Sequence, residues 1–161
     1  MTAALDEEGL TTSVVLESRG DVATPISFGF HPYLHLSGAP RDDWRLELPS
    51  LRRLRLDARR VPTGAEEEFS RRNDKLGDES FDDAFSVLDS KPRFVLQGLE
   101  QRLEVLFLEG YPYAQIYAPR ERDFVAIEPM TAPANALVSG HGLRSVAPTK
   151  TFTASFRVQW N

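Results

Sequence analysis

The sequence contains no cysteine, and it has no apolar run close to the roughly 20 residues that a membrane-spanning helix needs. Without cysteine the chain has neither a disulfide framework nor a thiolate nucleophile. The acidic segment 1–10 has neither the basic region nor the long apolar region of a secretory signal. Together these absences favour a cytoplasmic protein that does not contact a membrane.

An excess of basic residues is also missing. The formal net charge is −5, which argues against a nucleic-acid partner, because such partners favour a concentrated basic face. Five arginines do cluster, but leucines alternate with them, and we interpret them as the solvated face of a strand. They are Arg52, Arg53, Arg55, Arg59 and Arg60.

The sequence also lacks the motifs of nucleotide-binding proteins and of serine hydrolases: a phosphate-binding glycine loop, a Walker or dinucleotide motif, and a G-x-S-x-G elbow. It has no heptads, internal repeats or long amphipathic helices. Nucleotide chemistry is therefore unsupported. The 161 residues, 41% of them hydrophobic, suffice for one domain that buries about two-thirds of its unfolded surface. We expect a single domain over residues 1–161.

Short segments of alternating or β-branched residues predict strands. They are 10–18, 24–36, 44–48, 51–56, 93–97, 101–108, 113–117, 124–127 and 150–160. The three segments between 93 and 117 are separated only by short turns and predict an antiparallel meander. Segment 61–80 is polar and is interrupted by Pro62, Gly64 and Gly77, so it predicts a long loop with a helical turn over 65–72. The predicted class is all-β, an antiparallel sandwich.

Glu128 follows the apolar run 124–127 and precedes Pro129, which cannot donate to a sheet ladder. This position predicts a carboxylate at the rim of a sheet. Two interpretations remain open: a strand-end side chain in water, or a desolvated carboxylate that is paired or used chemically, because burying it alone costs several kcal/mol, roughly.

His31 likewise ends an apolar segment at a proline, Pro32, and Asp82 and Asp83 lie together between aromatic residues. His31 and His35 share a strand face, so with Glu128 they imitate a His, His, Glu metal site. Pro32 interrupts that strand, and we predict no metal and no cofactor. A histidine and carboxylates in such positions suit general acid and base catalysis.

Four motifs occur in a specific order: FGFHPYL at 28–34, PTG at 62–64, FDDAF at 81–85 and AIEPMTAPANAL at 126–137. In this combination the chain resembles the aldose 1-epimerase, or galactose mutarotase-like, family. The resemblance implies a large antiparallel β-sandwich that binds a free sugar without a cofactor. It implies that Glu128 is the general base for the anomeric hydroxyl and His31 the general acid for the ring oxygen, on opposite sides of the sugar. Asp82 and Tyr33 are implied to bind the substrate.

Family members are about twice as long, and the HPY motif lies far from their N-terminus, whereas here it occupies 31–33. We therefore expect an N-terminally truncated chain, impaired in activity and prone to self-association through exposed strand edges. One alternative is a non-catalytic sugar-binding or regulatory relative. Another is a hexose-6-phosphate 1-epimerase, which needs an arginine cluster for the phosphate. Arg41, Arg45 and Arg71 are the candidates, although a solvated surface role is the more expected one.

Overall fold

The computed structural model describes residues 1–70 and 73–160, and within them the chain is built almost wholly of β-strands. The fifteen described strands are β1 (Thr2–Leu5), β2 (Gly9–Glu17), β3 (Thr24–Ile26), β4 (Tyr33–Leu34), β5 (Arg45–Glu47), β6 (Leu51–Leu56), β7 (Pro62–Phe69), β8 (Asn73–Lys75), β9 (Phe81–Val87), β10 (Arg93–Gly98), β11 (Gln101–Glu109), β12 (Tyr113–Ala118), β13 (Val125–Met130), β14 (Arg144–Val146) and β15 (Thr151–Trp160). One helical turn, α1 (Ala136–Ser139), and a 3-10 turn, Arg41–Asp43, complete this part of the chain. The all-β prediction is confirmed. No helix among the described residues is long and apolar enough to cross a membrane.

The strands form two larger antiparallel sheets and one separate antiparallel pair. A seven-stranded sheet has the order β1-β2-β15-β11-β10-β5-β8, and a six-stranded sheet has the order β4-β13-β12-β9-β6-β7. Strands β14 and β3 pair separately. Apolar side chains from both sheets, such as Phe94, Phe156, Ile116 and Ile127, belong to one buried cluster. The predicted antiparallel sandwich is therefore confirmed.

Trp44 shows how the alternating pattern at 44–48 produces this core. Trp44 and Leu46 are fully buried, and Leu48 is 3% exposed. The indole Nε1–H of Trp44 donates to the carbonyl oxygen of Ala39 at 3.0 Å, so the ring is buried without losing a hydrogen bond. Complete burial of one large apolar side chain contributes about 1.5–3 kcal/mol.

The predicted meander over 93–117 is wrong in its last step. Strands β10 and β11 do pair, but β12 lies between β9 and β13 in the other sheet. The chain crosses between the sheets at Gly110, whose φ is +81°. A Cβ atom at this position would lie 2.7 Å from the Cβ of Ala154, so only glycine fits the crossing without displacement.

The long loop predicted over 61–80 is also wrong, because this segment contains β7 and β8. Strand β7 is an edge strand that pairs with β6, and six consecutive residues of it are exposed. Its acidic side chains face the arginines of β6, with Arg52–Glu66 at 3.4 Å and Arg53–Glu67 at 3.8 Å. Strand β7 is held by charged cross-strand pairs and not by an apolar face, so its sequence lacks the alternation of apolar and polar residues that predicts a strand. The end of the predicted helical turn, residues 71–72, lies outside the described residues.

The single strand predicted over 24–36 is interrupted between β3 and β4. In the gap, Phe28 and Phe30 pack against the core while their backbone binds the segment after β13. The N–H of Phe28 donates to Thr131 Oγ1 at 2.9 Å, and the N–H of Phe30 donates to the Pro129 carbonyl at 3.1 Å. This irregular segment carries His31 to the side of β13.

Candidate functional site

The outward face of the six-stranded sheet carries a cavity of about 360 Å³, a volume that suits a small molecule. The strand register sets its floor. Glu128 on β13 lies opposite Gln115 on β12, which lies opposite Ala84 on β9. Glu128, Gln115 and Asp82 all line this cavity. Side chains on neighbouring strands of one face are therefore brought together from positions far apart in sequence.

Glu128 lies inside its strand, which corrects the expectation of a sheet rim. Strand β13 continues through Pro129 to Met130. Pro129 has no N–H to donate, but its carbonyl oxygen accepts the N–H of Phe30 at 3.1 Å. The side chain of Glu128 is only 13% exposed. This burial contradicts the interpretation as a solvated strand end and favours the desolvated carboxylate.

His31 contacts Glu128 directly. Its Nε2 lies 3.0 Å from Glu128 Oε1, and its side chain is 44% exposed. The imidazole stacks on Tyr33, with ring centroids 4.5 Å apart, and Tyr33 in turn meets the edge of Phe124 at 4.7 Å. The aromatic neighbours thus fix the plane of the imidazole. The resemblance implied that the two groups lie on opposite sides of a sugar, whereas in the structure they are in contact.

The pKa of Glu128 is raised from 4.5 to about 7, first because burial disfavours the charged carboxylate and second because of the negative charge of Asp82. Both effects favour the protonated form. Glu128 therefore gains and loses its proton near neutral pH, which is the range in which a general base works best.

Asp82 lies on β9 and is held through both carboxylate oxygens. Gln115 Nε2 donates to its Oδ1 at 2.9 Å, and Arg60 Nη2 lies 2.5 Å from its Oδ2. Neither Gln115 nor Arg60 was singled out from the sequence as a site residue. Alternation within YAQIY places Gln115 on the face opposite Ile116, but only the register with β9 brings it to Asp82.

Asp83, the neighbour of Asp82, points to the other face of the sheet. Its Oδ1 lies 3.4 Å from Arg53 Nε, and the Arg53 guanidinium lies 4.8 Å from the centroid of the Phe69 ring. Arg53 is therefore packed against an aromatic ring and not simply solvated. The two adjacent acids do not form one carboxylate pair, because strand alternation separates them.

The two histidines considered as metal ligands do not converge. His35 Nδ1–H donates to the Asp123 carbonyl at 2.6 Å, and its ring meets Trp44 edge-on at 5.6 Å. Across residues 1–70 and 73–160, no three His, Cys, Asp or Glu side chains form a group that could hold a metal ion. The structure thus gives the His, His, Glu arrangement no support.

Arg41 is neither a phosphate ligand nor a solvated surface residue. It is 4% exposed, and its guanidinium donates to the carbonyl oxygens of Gly77, Glu79 and Ala118. These bonds commit it to the fold. Arg45 belongs to β5 in the seven-stranded sheet, and Arg71 lies outside the described residues. Of the three arginines considered for a phosphorylated sugar, the two that the structure describes, Arg41 and Arg45, do not line the cavity.

Comparison with known proteins gives related sequences and folds. The protein YihR of Escherichia coli (strain K12) is 26% identical over 140 residues, which cover 82% of this chain and 45% of YihR. The solved structure of the Slr1438 protein of Synechocystis sp. PCC 6803 matches with a TM-score of 0.78 at 26% identity, over 99% of this chain and 53% of that one. A galactose mutarotase-like protein of Clostridium acetobutylicum matches with a TM-score of 0.81 at 16% identity, over 99% of this chain and 54% of that one.

The chain therefore spans about half the length of these relatives. The family model described as aldose 1-epimerase matches residues 1–159, nearly the whole sequence. The chain belongs to the aldose 1-epimerase family.

Proposed function

We propose that this chain provides the acid and base of an aldose 1-epimerase, which interconverts the α and β anomers of a free aldohexose. The observation that carries the proposal is the 3.0 Å contact between His31 Nε2 and Glu128 Oε1, beside a cavity that Asp82 also lines. Family membership supports the reaction class.

In the proposed reaction Glu128 takes the proton of the anomeric hydroxyl while protonated His31 delivers a proton to the ring oxygen. The bond between the anomeric carbon and the ring oxygen breaks, and its electron pair stays on that oxygen. The products are an open-chain aldehyde, neutral His31 and protonated Glu128. Rotation of the aldehyde carbon and reclosure, with the two roles reversed, gives the other anomer and restores both residues.

The contact between the two side chains suits this chemistry. The anomeric hydroxyl and the ring oxygen are bonded to the same carbon atom, so one acid and one base that lie close together can reach both oxygens. The active form of the pair carries one proton, on His31. Protonation inactivates Glu128 as a base, so kcat/KM should fall as pH decreases through the Glu128 pKa of about 7.

Asp82 and Tyr33 are proposed to bind the sugar. Asp82 is 56% exposed and its carboxylate lies at the cavity wall, where it can accept hydrogen bonds from hydroxyl groups. Tyr33 is 59% exposed beside His31, so its ring is available to pack on the apolar face of a pyranose. A sugar-binding protein without turnover would share these two features but would not need the His31–Glu128 contact.

The test is polarimetry of freshly dissolved α-D-glucose and α-D-galactose with the 161-residue chain and its Glu128→Gln variant. We expect faster mutarotation than in buffer alone and loss of this acceleration in the variant. Binding of either sugar without acceleration would favour the non-catalytic relative and contradict the proposal.

A further inference from the structure

The turn between β6 and β7 is held by one aspartate. Asp57 Oδ1 accepts the N–H of Arg59 at 2.8 Å and that of Val61 at 2.9 Å. The backbone closes the turn as well, because the Arg60 N–H donates to the Asp57 carbonyl at 3.0 Å. These bonds hold Arg60 at φ +65°, in the left-handed region that a non-glycine residue adopts at a cost of about 1–2 kcal/mol.

This turn delivers Arg60 to the wall of the cavity that Glu128 also lines. Arg60 Nη2 donates to the backbone carbonyl of Asp82 and contacts its Oδ2, both at 2.5 Å. Gln115 binds the other carboxylate oxygen. Arg60 and Gln115 thus each hold one oxygen of the Asp82 carboxylate, and Arg60 also binds the backbone of Asp82.

Fold stability does not account for this arrangement. The Arg60 and Asp82 side chains are 59% and 56% exposed, and such exposed ion pairs add little to stability. The turn hydrogen bonds around Asp57 maintain the positive φ of Arg60, and this conformation places the guanidinium on Asp82, beside the proposed acid–base pair.

We propose that Arg60 is a positioning residue: with Gln115 it orients the Asp82 carboxylate for the sugar and offsets the charge that Asp82 exerts on Glu128. The inference rests on the proposed function of the cavity. Arg60 is not a catalytic residue in it, because it acts through Asp82.

The other groups around Glu128 define what Arg60 has to offset. His31 contacts Glu128 from the segment before β4, and Asp82 faces it from β9. Tyr33, Tyr113 and Tyr117 lie on the same face of the described sheet. Farther along it, β6 and β7 contribute the Arg52–Glu66 ion pair and Glu68. Asp82 is the neighbouring charge that raises the pKa of Glu128, so removal of Arg60 should strengthen this effect.

The experiment compares Arg60→Ala, Arg60→Gly and Arg60→Lys with Arg59→Ala. Arg59 belongs to the same turn but is 81% exposed and pairs with Asp57, so it is the matched control. Glycine adopts positive φ without strain, so Arg60→Gly keeps the turn while it removes the guanidinium. The measurements are the Glu128 pKa by carboxyl carbon NMR, KM and kcat for α-D-glucose, and the melting temperature.

For Arg60→Ala and Arg60→Gly we expect a Glu128 pKa higher by about 0.3–0.5 pH units and the acid limb of the kcat/KM profile shifted with it. We expect KM to rise about threefold to tenfold while kcat changes about twofold or less. Lysine keeps the positive charge but lacks the planar guanidinium with its several N–H donors. Arg60→Lys should therefore restore the wild-type pKa of Glu128 but leave KM raised. Arg60→Gly should melt no lower than wild type.

Unchanged Glu128 pKa in Arg60→Ala and Arg60→Gly would overturn the inference, and so would an equal shift in Arg59→Ala, which would indicate a general effect of surface charge. Failure of the proposed function has a different signature. If the wild-type chain does not accelerate mutarotation, KM cannot be measured, but the NMR titration still decides whether Arg60 acts on Glu128 through Asp82.

Discussion

At the scale of single residues, the burial of Glu128 links stability to the proposed chemistry. A carboxylate inside β13 with 13% side-chain exposure loses most of its hydration, and Asp82 adds a repulsive charge. The folded state therefore favours the protonated form, whereas the unfolded chain does not. The desolvation that supports the proposed role of Glu128 as a base also destabilises the fold once the carboxylate is charged.

The sign of the pH dependence follows from the raised pKa. The stabilising contribution is complete below the unfolded value of 4.5 and is lost as pH rises through about 7, because between these values only the folded state holds the proton. We expect Glu128→Gln to gain stability relative to wild type by on the order of 2–3 kcal/mol between pH 4.5 and pH 8. Urea denaturation at a series of pH values measures this.

Two controls accompany this prediction. Glu109 is exposed on β11, so Glu109→Gln should show no such gain. His31→Asn as a second background removes the neighbouring imidazole, and the gain from Glu128→Gln should persist there because burial is its main cause. A difference between wild type and Glu128→Gln that does not vary with pH would contradict the desolvation account.

At the scale of elements, local pattern predicted the strands that have one apolar face. The alternation at 44–48 and 150–160 and the short run at 124–127 each correspond to a strand, because one side packs on the core. Strand β7 gave no such signal, since it is an edge strand stabilised by charged pairs with β6. The transfer of β12 to the second sheet depends on Gly110 and on pairing with β9, neither of which local periodicity encodes.

The candidate site divides in the same way. Glu128 and His31 could be identified because each ends an apolar run beside a proline, and the family motifs contain both. Gln115 and Arg60 could not be identified from the sequence. The position of Gln115 depends on strand register, and that of Arg60 on the turn held by Asp57. Burial of Glu128 inside its strand, instead of at the rim, likewise follows from pairing with β12.

Gly110 provides a prediction about how β11 is joined to β12. Gly110→Ala adds a Cβ atom 2.7 Å from both the Ala154 Cβ and the Thr153 carbonyl, at a φ of +81°. We expect a loss of about 2–4 kcal/mol in the free energy of unfolding by urea denaturation.

Gly38→Ala is the matched control, because Gly38 has a φ of +78° and no atom within 4 Å of the added Cβ. It should cost only the backbone term, about 1 kcal/mol. Equal losses of unfolding free energy in Gly110→Ala and Gly38→Ala would show that close packing around Gly110 contributes nothing to stability.

At the scale of the whole molecule, the seven-stranded sheet has β1 at one edge, and all four residues of β1 are exposed. Leu5, at the end of this strand, is 73% exposed. Open edges with apolar side chains favour pairing with a second copy. We expect concentration-dependent association in light scattering and a clear reduction in Leu5→Lys, since charge at an edge opposes such pairing.

Leu99→Lys controls for charge and hydrophobicity. Leu99 is 79% exposed but lies in the turn between β10 and β11, away from the edges. The Leu99→Lys variant should therefore associate to the same extent as the wild-type chain. A wild-type chain that is monomeric at all concentrations would contradict the expectation of self-association.

The whole account depends on Glu128 and His31 acting as one acid–base pair. Each group contributes about a hundredfold to ten-thousandfold to general acid or base catalysis, so Glu128→Gln and His31→Asn should each remove activity on that scale. His35→Asn, four residues away and bonded to the Asp123 carbonyl, is the matched control and should keep it.

The most direct measurement is a double-mutant cycle on kcat/KM for the mutarotation of α-D-glucose, followed by polarimetry. Residues that act as a unit give non-additive losses, so Glu128→Gln with His31→Asn should be no slower than the slower single variant. Losses that multiply in the double variant, or wild-type turnover in Glu128→Gln, would contradict the account.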